Sequence, residues 1–378
     1  DCAILSWSHH KSRDFEFLYA FYISQVTKTY KKCTATRLFD YRYTTEMEQE
    51  VRYLCHQEFG APKEVVQLQK KTISKQLLES EILLKILASS INPADLITIT
   101  GKYPIKPMLP CIPGNECVAR VEGIGSGVKT LAVGDLVVPF RSGLGTWCSH
   151  GVFNAADWFR IPSTVDTVAA ATLTVNPPTA YRMLKDFVTL KPGDTVLQNA
   201  ANSAVGQIVS QLCRKWGINC VGVVRHRPDI DTLKATLRGL GATEIYTEEE
   251  FAKTEVFSDT LPAPKLALNC VGGESAETLL RDVAHGGTFV TYGCISTRNT
   301  SIPASVFIYR DIKCCGFWRT NWTRENHGNP ERVHMLKDIL AMYEAGDLTA
   351  PEAELIPIED YQKALGGVHG KKCIITYE

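Results

Sequence analysis

The alternation of buried strands with helices between residues 195 and 292 constrains the fold more than any other feature of this sequence. Four short apolar runs have the length and residue types of buried strands. They are Thr195–Gln198, Cys220–Val224, Leu266–Val271 and Thr288–Tyr292. Apolar residues with helical spacing lie between them, at Val205, Ile208, Val209 and Leu212, at Leu233, Leu237 and Leu240, and across Ala276–Val283. Strands that alternate with helices form parallel sheets, so we predict an α/β fold with a doubly wound parallel sheet.

The sequence before residue 175 shows a second pattern, made of short strands and glycine- or proline-containing turns. The predicted strands are Glu81–Ser90, Cys117–Ile124 and Leu136–Phe140. This pattern favours a partly open β-barrel. Beyond Asp311 the pattern becomes β-like again. The segments are Lys313–Trp318 and, after a helix around Val333–Glu344, a final strand at Lys372–Tyr377. We expect this tail to rejoin the first domain.

The predicted domains follow from these patterns. Residues 49–175 form the first part of the barrel domain, residues 176–310 form the parallel-sheet domain, and residues 311–378 return to the barrel. Near the first boundary, Val168–Leu173 and Ala180–Leu184 are predicted helices, with Asn176-Pro177-Pro178 between them.

Composition argues against several classes of function. The 378 residues suit two domains, and their 44% hydrophobic content allows sizeable cores. The net charge is zero, which gives no indication of binding to nucleic acid or a membrane surface. No apolar run reaches ~18 residues, so we predict no membrane span. The 13 cysteines include no CxxC pair and no zinc-type spacing, so we expect reduced thiols.

Residues 1–48 form a predicted leader. The first 43 contain seven Lys or Arg and four acidic residues, a net charge of 7 − 4 = +3, together with several Ser and Thr. Basic, hydroxyl-rich segments that are poor in acids are typical of mitochondrial transit segments. The four acidic residues weaken the match, so a leader without a targeting role stays open.

The segment after the first predicted strand has the order that dinucleotide binding requires, namely strand, tight turn and helix. In Asn202-Ser203-Ala204-Val205-Gly206 only Gly206 remains of the expected glycines, and Ala204 stands where a second is expected. Asn202 and Ser203 can donate hydrogen bonds to phosphate oxygens and can cap the helix. By itself the loop fits either a nucleotide site or a plain helix cap.

The end of the second predicted strand discriminates between the two nicotinamide cofactors. Enzymes that bind NAD carry an acidic residue there for the ribose hydroxyls. Here the strand ends in Arg225-His226-Arg227, with no acid before Asp229. Two guanidinium groups can pair with a 2′-phosphate, which an acidic residue would repel. The loop and the arginines together predict NADPH as the cofactor.

Further motifs follow one another from about residue 49 to the C-terminus. They are Ile91-Asn92-Pro93-Ala94-Asp95, Gly101-Lys102-Tyr103, Gly114-Asn115-Glu116, Gly143-Leu144-Gly145-Thr146-Trp147, Val175-Asn176-Pro177, Thr179-Ala180-Tyr181-Arg182, Arg227-Pro228-Asp229-Ile230, Leu268-Asn269-Cys270-Val271-Gly272-Gly273, Val290-Thr291-Tyr292-Gly293 and Gly316-Phe317-Trp318. In these motifs the chain resembles the medium-chain dehydrogenase/reductase superfamily. Within that superfamily it is similar to the mitochondrial trans-2-enoyl-thioester reductases of fatty-acid synthesis.

The resemblance implies a GroES-like catalytic domain interrupted by a Rossmann domain, and a homodimer. It also implies NADPH-dependent reduction of an enoyl-CoA or enoyl-acyl-carrier-protein substrate in the mitochondrial matrix. Zinc-dependent relatives carry Gly-His-Glu where this chain has Gly114-Asn115-Glu116. Asn115 and the missing cysteine cluster both predict a site without a catalytic metal.

The resemblance also assigns site residues. Tyr103 would donate a proton to Cα, because hydride addition at Cβ leaves negative charge that a donor must neutralise. The implied cofactor contacts are Asn176 near the nicotinamide, Asn202, Ser203, Ala204 and Val205 at the pyrophosphate, Arg225, His226 and Arg227 at the 2′-phosphate, Tyr292, Gly293, Cys294, Ile295, Phe317, Trp318 and Arg319 at the nicotinamide side, and Lys372. The candidates for an apolar acyl groove are Phe317, Trp318, Leu144 and Trp147.

Three of these positions depart from the family pattern. Cys294 and Ile295 replace a Gly-Met pair, and Arg319 replaces an apolar residue. Two alternative functions therefore stay open: a zinc-free NADPH quinone reductase of the same superfamily, and an inactive protein that binds a nucleotide or a transcription partner.

Overall fold

The computed structural model describes residues 47–366 and 371–377, so the predicted leader lies outside the described residues except for Met47 and Glu48. Residues 50–73 and the described residues from Leu77 onward form one compact unit, which carries every site discussed below. The described residues 47–49 and 74–76 belong to a second, smaller unit. Within it, the Lys75 N–H donates to the Met47 carbonyl over 2.8 Å. None of the described helices combines the length and the apolar character needed to cross a membrane.

The described elements follow the two patterns of the sequence. The strands are β1 (Glu48–His56), β2 (Val66–Ser74), β3 (Glu81–Ser90), β4 (Cys117–Ile124), β5 (Leu136–Pro139), β6 (His150–Asn154), β7 (Trp158–Ile161), β8 (Thr195–Asn199), β9 (Asn219–Val224), β10 (Glu244–Thr247), β11 (Leu266–Asn269), β12 (Thr288–Thr291), β13 (Lys313–Gly316), β14 (Ala353–Pro357) and β15 (Lys372–Thr376). The α-helices are α1 (Pro62–Val65), α2 (Pro93–Ile99), α3 (Thr167–Ala171), α4 (Asn176–Asp186), α5 (Ala204–Lys215), α6 (Ile230–Gly239), α7 (Glu248–Lys253), α8 (Gly273–Asp282), α9 (Ala304–Ile308), α10 (Arg319–Glu325), α11 (Pro330–Glu344) and α12 (Tyr361–Gly366). Short 3₁₀ turns occupy Ala155–Asp157 and Ile358–Asp360.

A six-stranded parallel sheet has the order β10-β9-β8-β11-β12-β13. Successive strand residues point to opposite faces of a sheet. In β8, Val196 packs in one core with Ile208 of α5, whereas Leu197 packs in another with Leu279 of α8. Helices therefore cover both faces, which confirms the predicted doubly wound sheet.

The edge strand β13 corrects one detail of the prediction. Lys313–Gly316 was expected to lie in the returning barrel segment, but it pairs in parallel with β12, with Cys315 opposite Val290. The segment is a strand, as predicted, but it belongs to the six-stranded parallel sheet and not to the barrel domain. A short strand pattern does not specify which sheet a strand joins, because the inward and outward alternation is the same in both.

A second sheet, of seven strands, has the order β14-β15-β3-β4-β5-β7, and β6 also pairs with β3. The predicted strands Glu81–Ser90 and Cys117–Ile124 are confirmed as β3 and β4. The last strand, β15, is antiparallel to β3, with Ile374 opposite Ser90. The C-terminal strand therefore joins this seven-stranded sheet of the first domain, as predicted.

Helix α4 begins earlier than the sequence pattern predicts. Asn176-Pro177-Pro178 was expected to lie between two helices, but these residues form the first turn of α4. Proline is tolerated there because N–H groups in a first helical turn have no intrahelical acceptor. As a consequence Asn176 is held at the buried start of a helix, not in a turn.

Candidate active site

The loop after β8 leaves donors open at the start of α5. The Ser203 hydroxyl accepts a hydrogen bond from the Gly206 N–H over 3.1 Å, which confirms the predicted helix cap. The backbone N–H groups of Ala204 and Val205 have no acceptor among the described residues. A Cβ at Gly206 would lie 2.7 Å from the Ala200 carbonyl oxygen, so the glycine permits the tight turn. The arrangement fits a phosphate at the helix N-terminus.

A network of side-chain amides ties together the carboxyl ends of three neighbouring strands. Asn199, at the end of β8, donates to the Asn269 side chain over 2.9 Å and accepts from the Cys270 N–H over 2.7 Å. Asn269, at the end of β11, donates to the Thr291 hydroxyl of β12 over 3.2 Å. Sequence reasoning assigned no role to these asparagines. The signal was present, because each follows a buried apolar strand.

The loop after β12 lies against this network. The Tyr292 hydroxyl is buried beside the Cys270 thiol and Ser203, and this burial raises the Tyr292 pKa well above its ordinary value. A Cβ at Gly293 would lie 2.8 Å from the Cys270 sulfur, so the residue must be small. Cys294 is exposed, and Ile295 is 60% exposed. The two departures from the family pattern therefore lie at the protein surface and do not contribute to the hydrophobic core.

The predicted 2′-phosphate residues follow directly after β9. Arg225 and His226 are exposed, and Arg227 is half-buried, with its Nε 3.8 Å from an Asp229 oxygen. Arg225 makes no ion pair within the part of the chain that the structure describes. An arginine without a partner at the end of the second strand is available for a phosphate.

Helix α4 is anchored by a buried carboxyl group that sequence reasoning missed. Glu116 accepts hydrogen bonds from the N–H groups of Thr174 and Val175 over 2.8 and 2.7 Å, just before the helix begins. Its other oxygen accepts from the side chains of Ser90 (2.6 Å) and Asn92 (2.9 Å). Glu116 belongs to the Gly114-Asn115-Glu116 motif, but the prediction from that motif concerned only Asn115, which stands in place of a zinc ligand.

Asn176 follows this anchor immediately. Its side chain is buried, and its Nδ2 has no hydrogen-bond partner among the described residues. An unsatisfied buried amide is costly in a folded protein, so such a group is expected to have a ligand partner. The observation fits the predicted contact with a nicotinamide amide.

The hydroxyl of Tyr103 is held by two residues at the start of α10. The Trp318 Nε1–H donates to the Tyr103 oxygen over 2.6 Å, and the two rings meet edge to face with centroids 5.8 Å apart. The Thr320 hydroxyl lies 3.2 Å from the same oxygen. Sequence reasoning did not find Thr320. Tyr103 itself is half-buried, so its hydroxyl is both oriented and close to solvent.

Arg319 lies between these two residues. It is half-buried, donates to the Ser142 hydroxyl over 3.0 Å, and has a lowered pKa, chiefly through burial. The carboxylates of Glu116 and Asp95 oppose this lowering. The structure therefore brings Tyr103, Trp318 and Arg319 close together.

A buried acid–base cluster supports this side of the site. Asp95 accepts from the Asn115 Nδ2 over 2.6 Å and from the Asn92 N–H over 2.8 Å, and burial raises its pKa to about 6. Lys372 donates to the Ile91 carbonyl (2.8 Å) and the Asn92 side chain (2.6 Å), and burial lowers its pKa. Lys372 thus fixes the loop before α2, in addition to any cofactor contact.

Asn115 and the groove candidates complete the comparison with the predictions. Asn115 also accepts from the Gly143 N–H over 2.8 Å, so both ends of its amide are engaged. Among residues 47–366 and 371–377, no three His, Cys, Asp or Glu side chains could share a metal ion. Trp147 is fully buried and donates to the Ser90 carbonyl over 3.4 Å, so the prediction that it lines an acyl groove is wrong. The Phe317 side chain packs in the core against Phe187.

Comparison with known families agrees with this architecture. The family described as "Alcohol dehydrogenase GroES-like domain" matches residues 79–179, and the family described as "Zinc-binding dehydrogenase" matches residues 204–333. The first match covers the seven-stranded sheet up to α4, and the second begins at the cofactor helix α5.

Similar proteins are known in sequence and in structure. The chain is 42% identical to the mitochondrial enoyl-[acyl-carrier-protein] reductase of Xenopus tropicalis over 318 residues, which cover 83% of this chain and 91% of that protein. It also matches the structure of Etr1p in complex with NADP and crotonyl-CoA. That match has a TM-score of 0.82 and 32% identity, and covers 87% of this chain and 100% of the other. The mitochondrial 2-enoyl thioester reductase Etr1p/Etr2p heterodimer from Candida tropicalis matches with the same score, identity and coverage. The chain therefore belongs to the enoyl-[acyl-carrier-protein] reductase family of the medium-chain dehydrogenase/reductase superfamily.

Proposed function

We propose that this chain is an NADPH-dependent oxidoreductase that reduces trans-2-enoyl thioesters, carried on CoA or acyl-carrier protein, to saturated acyl thioesters. The single observation that carries the proposal is the Tyr103 hydroxyl, which is held by hydrogen bonds to Trp318 and Thr320. The related Etr1p structure, solved with NADP and crotonyl-CoA, supports the cofactor and the substrate class.

The cofactor fits the residues of the parallel-sheet edge. Ala204 and Val205 N–H groups would hold the pyrophosphate, and Arg225, with His226 and Arg227, would hold the 2′-phosphate. The free Nδ2 of Asn176 would bind the nicotinamide amide. When bound, NADPH supplies the hydride that is added to Cβ of the substrate.

The chain's own residues would complete the reaction by handling charge and a proton. Addition at Cβ places negative charge on the thioester oxygen and leaves Cα in need of a proton. Trp318 donates to the Tyr103 oxygen, so the tyrosine's own O–H remains free to donate to the substrate. The same Trp318 hydrogen bond and the Thr320 hydroxyl would stabilise the phenolate left after proton transfer.

Assembly and location are also proposed. We infer a homodimer in which β13, the edge strand of the six-stranded sheet, pairs with its copy. The heterodimer of Candida tropicalis supports a dimer in this family. Relatives are named as mitochondrial proteins, and we propose that this chain acts in the mitochondrial matrix.

Steady-state kinetics test the proposal directly. The purified chain should oxidise NADPH with crotonyl-CoA and much more slowly with simple quinones. Reduction of quinones alone would replace the proposal with a quinone reductase. Failure of NADPH to quench tryptophan fluorescence would favour the inactive binding protein.

A further inference from the structure

Two arginines line a small cleft near the Tyr103 hydroxyl. Arg319 and Arg332 both line it. The other lining residues are Asn115, Pro139, Phe140, Arg141, Thr174, Pro178, Thr323, Met335 and Leu336. Five of the eleven lining residues are apolar, and Arg141, the third arginine among them, is paired with Asp157 over 2.8 Å.

Neither arginine has a carboxylate partner within the described part of the chain. Arg332 is 4% exposed, donates to the Phe140 carbonyl, and lies with its guanidinium carbon 3.9 Å from the centre of the Phe140 ring. Arg319 donates to the Ser142 hydroxyl alone. Neither forms an ion pair with a described residue. Burial lowers the pKa of Arg332, and the charge of Arg319 lowers it further.

Another buried arginine of the same chain shows how a buried positive charge is usually neutralised. Arg182 is 9% exposed and pairs with two carboxylates, Asp186 and, over 2.7 Å, Glu331. Buried charges are normally paired because an isolated one is costly. Arg332 breaks this rule, as does the half-buried Arg319 at the same cleft, and each retains N–H groups that find no acceptor among the described residues.

The cleft adjoins the reaction centre. Arg319 stands between Trp318 and Thr320 in the chain, and both of these neighbours contact the Tyr103 hydroxyl. Thr174, on the opposite wall, precedes the buried Asn176 by two residues. The cleft has a volume of about 20 Å³, room for one small group, so it can hold the terminal carboxylate of an acyl chain whose thioester lies at Tyr103. The phosphates of CoA lie at the other end of the pantetheine arm, away from the acyl chain.

We propose, on the basis of the enoyl-thioester reductase function above, that this cleft selects an acyl chain bearing a carboxylate. The substrate class is an ω-carboxylated trans-2-enoyl thioester, and Arg319 and Arg332 are the residues that determine this specificity. Two guanidinium groups match one carboxylate through charge-assisted hydrogen bonds. A neutral acyl chain of the same length would remove water from both groups and give no partner in return.

Matched substrate pairs test this inference. We would compare trans-2-hexenoyl-CoA with trans-2-hexenedioyl-CoA, and trans-2-decenoyl-CoA with trans-2-decenedioyl-CoA, by kcat/KM. In at least one pair the carboxylated member should be preferred by about tenfold or more, the scale of a hydrogen bond to a charged group. Equal or lower kcat/KM for both carboxylated members overturns the inference and leaves the proposed function intact. No reduction of any member, or of crotonyl-CoA, overturns the proposed function itself.

Variants assign the preference to the cleft. Arg319→Leu should lower the ratio of kcat/KM within the pair by about tenfold, whereas Arg319→Lys should retain most of it. The matched control is Arg160→Leu, an exposed arginine of β7, which should keep the wild-type ratio and turnover. An unchanged ratio in Arg319→Leu overturns the assignment. Circular dichroism shows that each variant is folded.

A second experiment distinguishes recognition of the acyl carboxylate from recognition of the CoA phosphates. The same pairs are measured as N-acetylcysteamine thioesters, which carry no phosphate. A preference for the carboxylated member that persists supports the proposal. A preference seen only with CoA thioesters would mean that the arginines act on the carrier, and would overturn it.

Discussion

The two sides of the site are built from different chemistry. At the edge of the parallel sheet, neutral amides and hydroxyls meet through Asn199, Asn269, Ser203 and Tyr292. On the barrel side, buried or half-buried ionisable groups predominate, including Asp95, Glu116, Lys372, Arg319 and Arg332. The network at the sheet edge contains no charged side chain, and the arginines proposed to bind the 2′-phosphate lie beside it, after β9. The charged side lies where charge and a proton change during the reaction, so the two sides should respond differently to substitution and to pH.

The largest expected effect is on the charged side. Tyr103→Phe removes the proposed proton donor and should lower turnover of crotonyl-CoA by ~10²-fold or more, the usual scale for loss of a general acid. NADPH binding should be retained, because no proposed cofactor contact uses the hydroxyl. The control is Tyr309→Phe, at a tyrosine that is 75% exposed. Undiminished turnover in Tyr103→Phe would remove this residue from the mechanism.

The sequence predicted the parallel-sheet side of the site better than the barrel side. The parallel sheet and its cofactor loop follow from local patterns, because a strand, a turn and a helix are contiguous in the chain. Tyr103 came only from the family resemblance, since its contact with Trp318 joins residues 215 positions apart. The role of Glu116 was also hidden, because its partners Thr174 and Val175 lie 58 and 59 residues away. Buried polar contacts between distant segments leave no local pattern.

A pH experiment contrasts the two sides by stability. Asp95 has a pKa of about 6 in the folded chain against an ordinary value of 3.8, so the folded state binds the proton more tightly. Its contribution to stability therefore rises as pH falls from about 7 to about 4. Relative to Asp95→Asn, the wild type should gain roughly 2 kcal/mol in the free energy of unfolding over this range. Urea unfolding at both pH values measures the difference, and a difference that does not change with pH would contradict the assignment.

Cofactor choice tests the edge of the parallel sheet. Arg225→Ala should weaken binding of NADPH by roughly tenfold, the lower scale for a hydrogen bond between charged groups, and leave NADH nearly unchanged. Fluorescence titration with each cofactor gives the two dissociation constants. Arg238→Ala is the control, since that arginine pairs with Glu244 over 3.1 Å on the protein surface. Equal weakening of both cofactors would remove Arg225 from the 2′-phosphate site.

The smallest effect should come from the neutral helix cap. Ser203→Ala removes the acceptor for the Gly206 N–H and should cost about 1 kcal/mol in the free energy of unfolding. Serine does not titrate in this range, so the cost should be the same at pH 4 and pH 7, unlike the Asp95 effect. Ser203→Thr keeps the acceptor and should recover most of the loss. A strongly pH-dependent cost for Ser203→Ala would show that the cap is coupled to the buried charges, and the division into a neutral and a charged side would then fail.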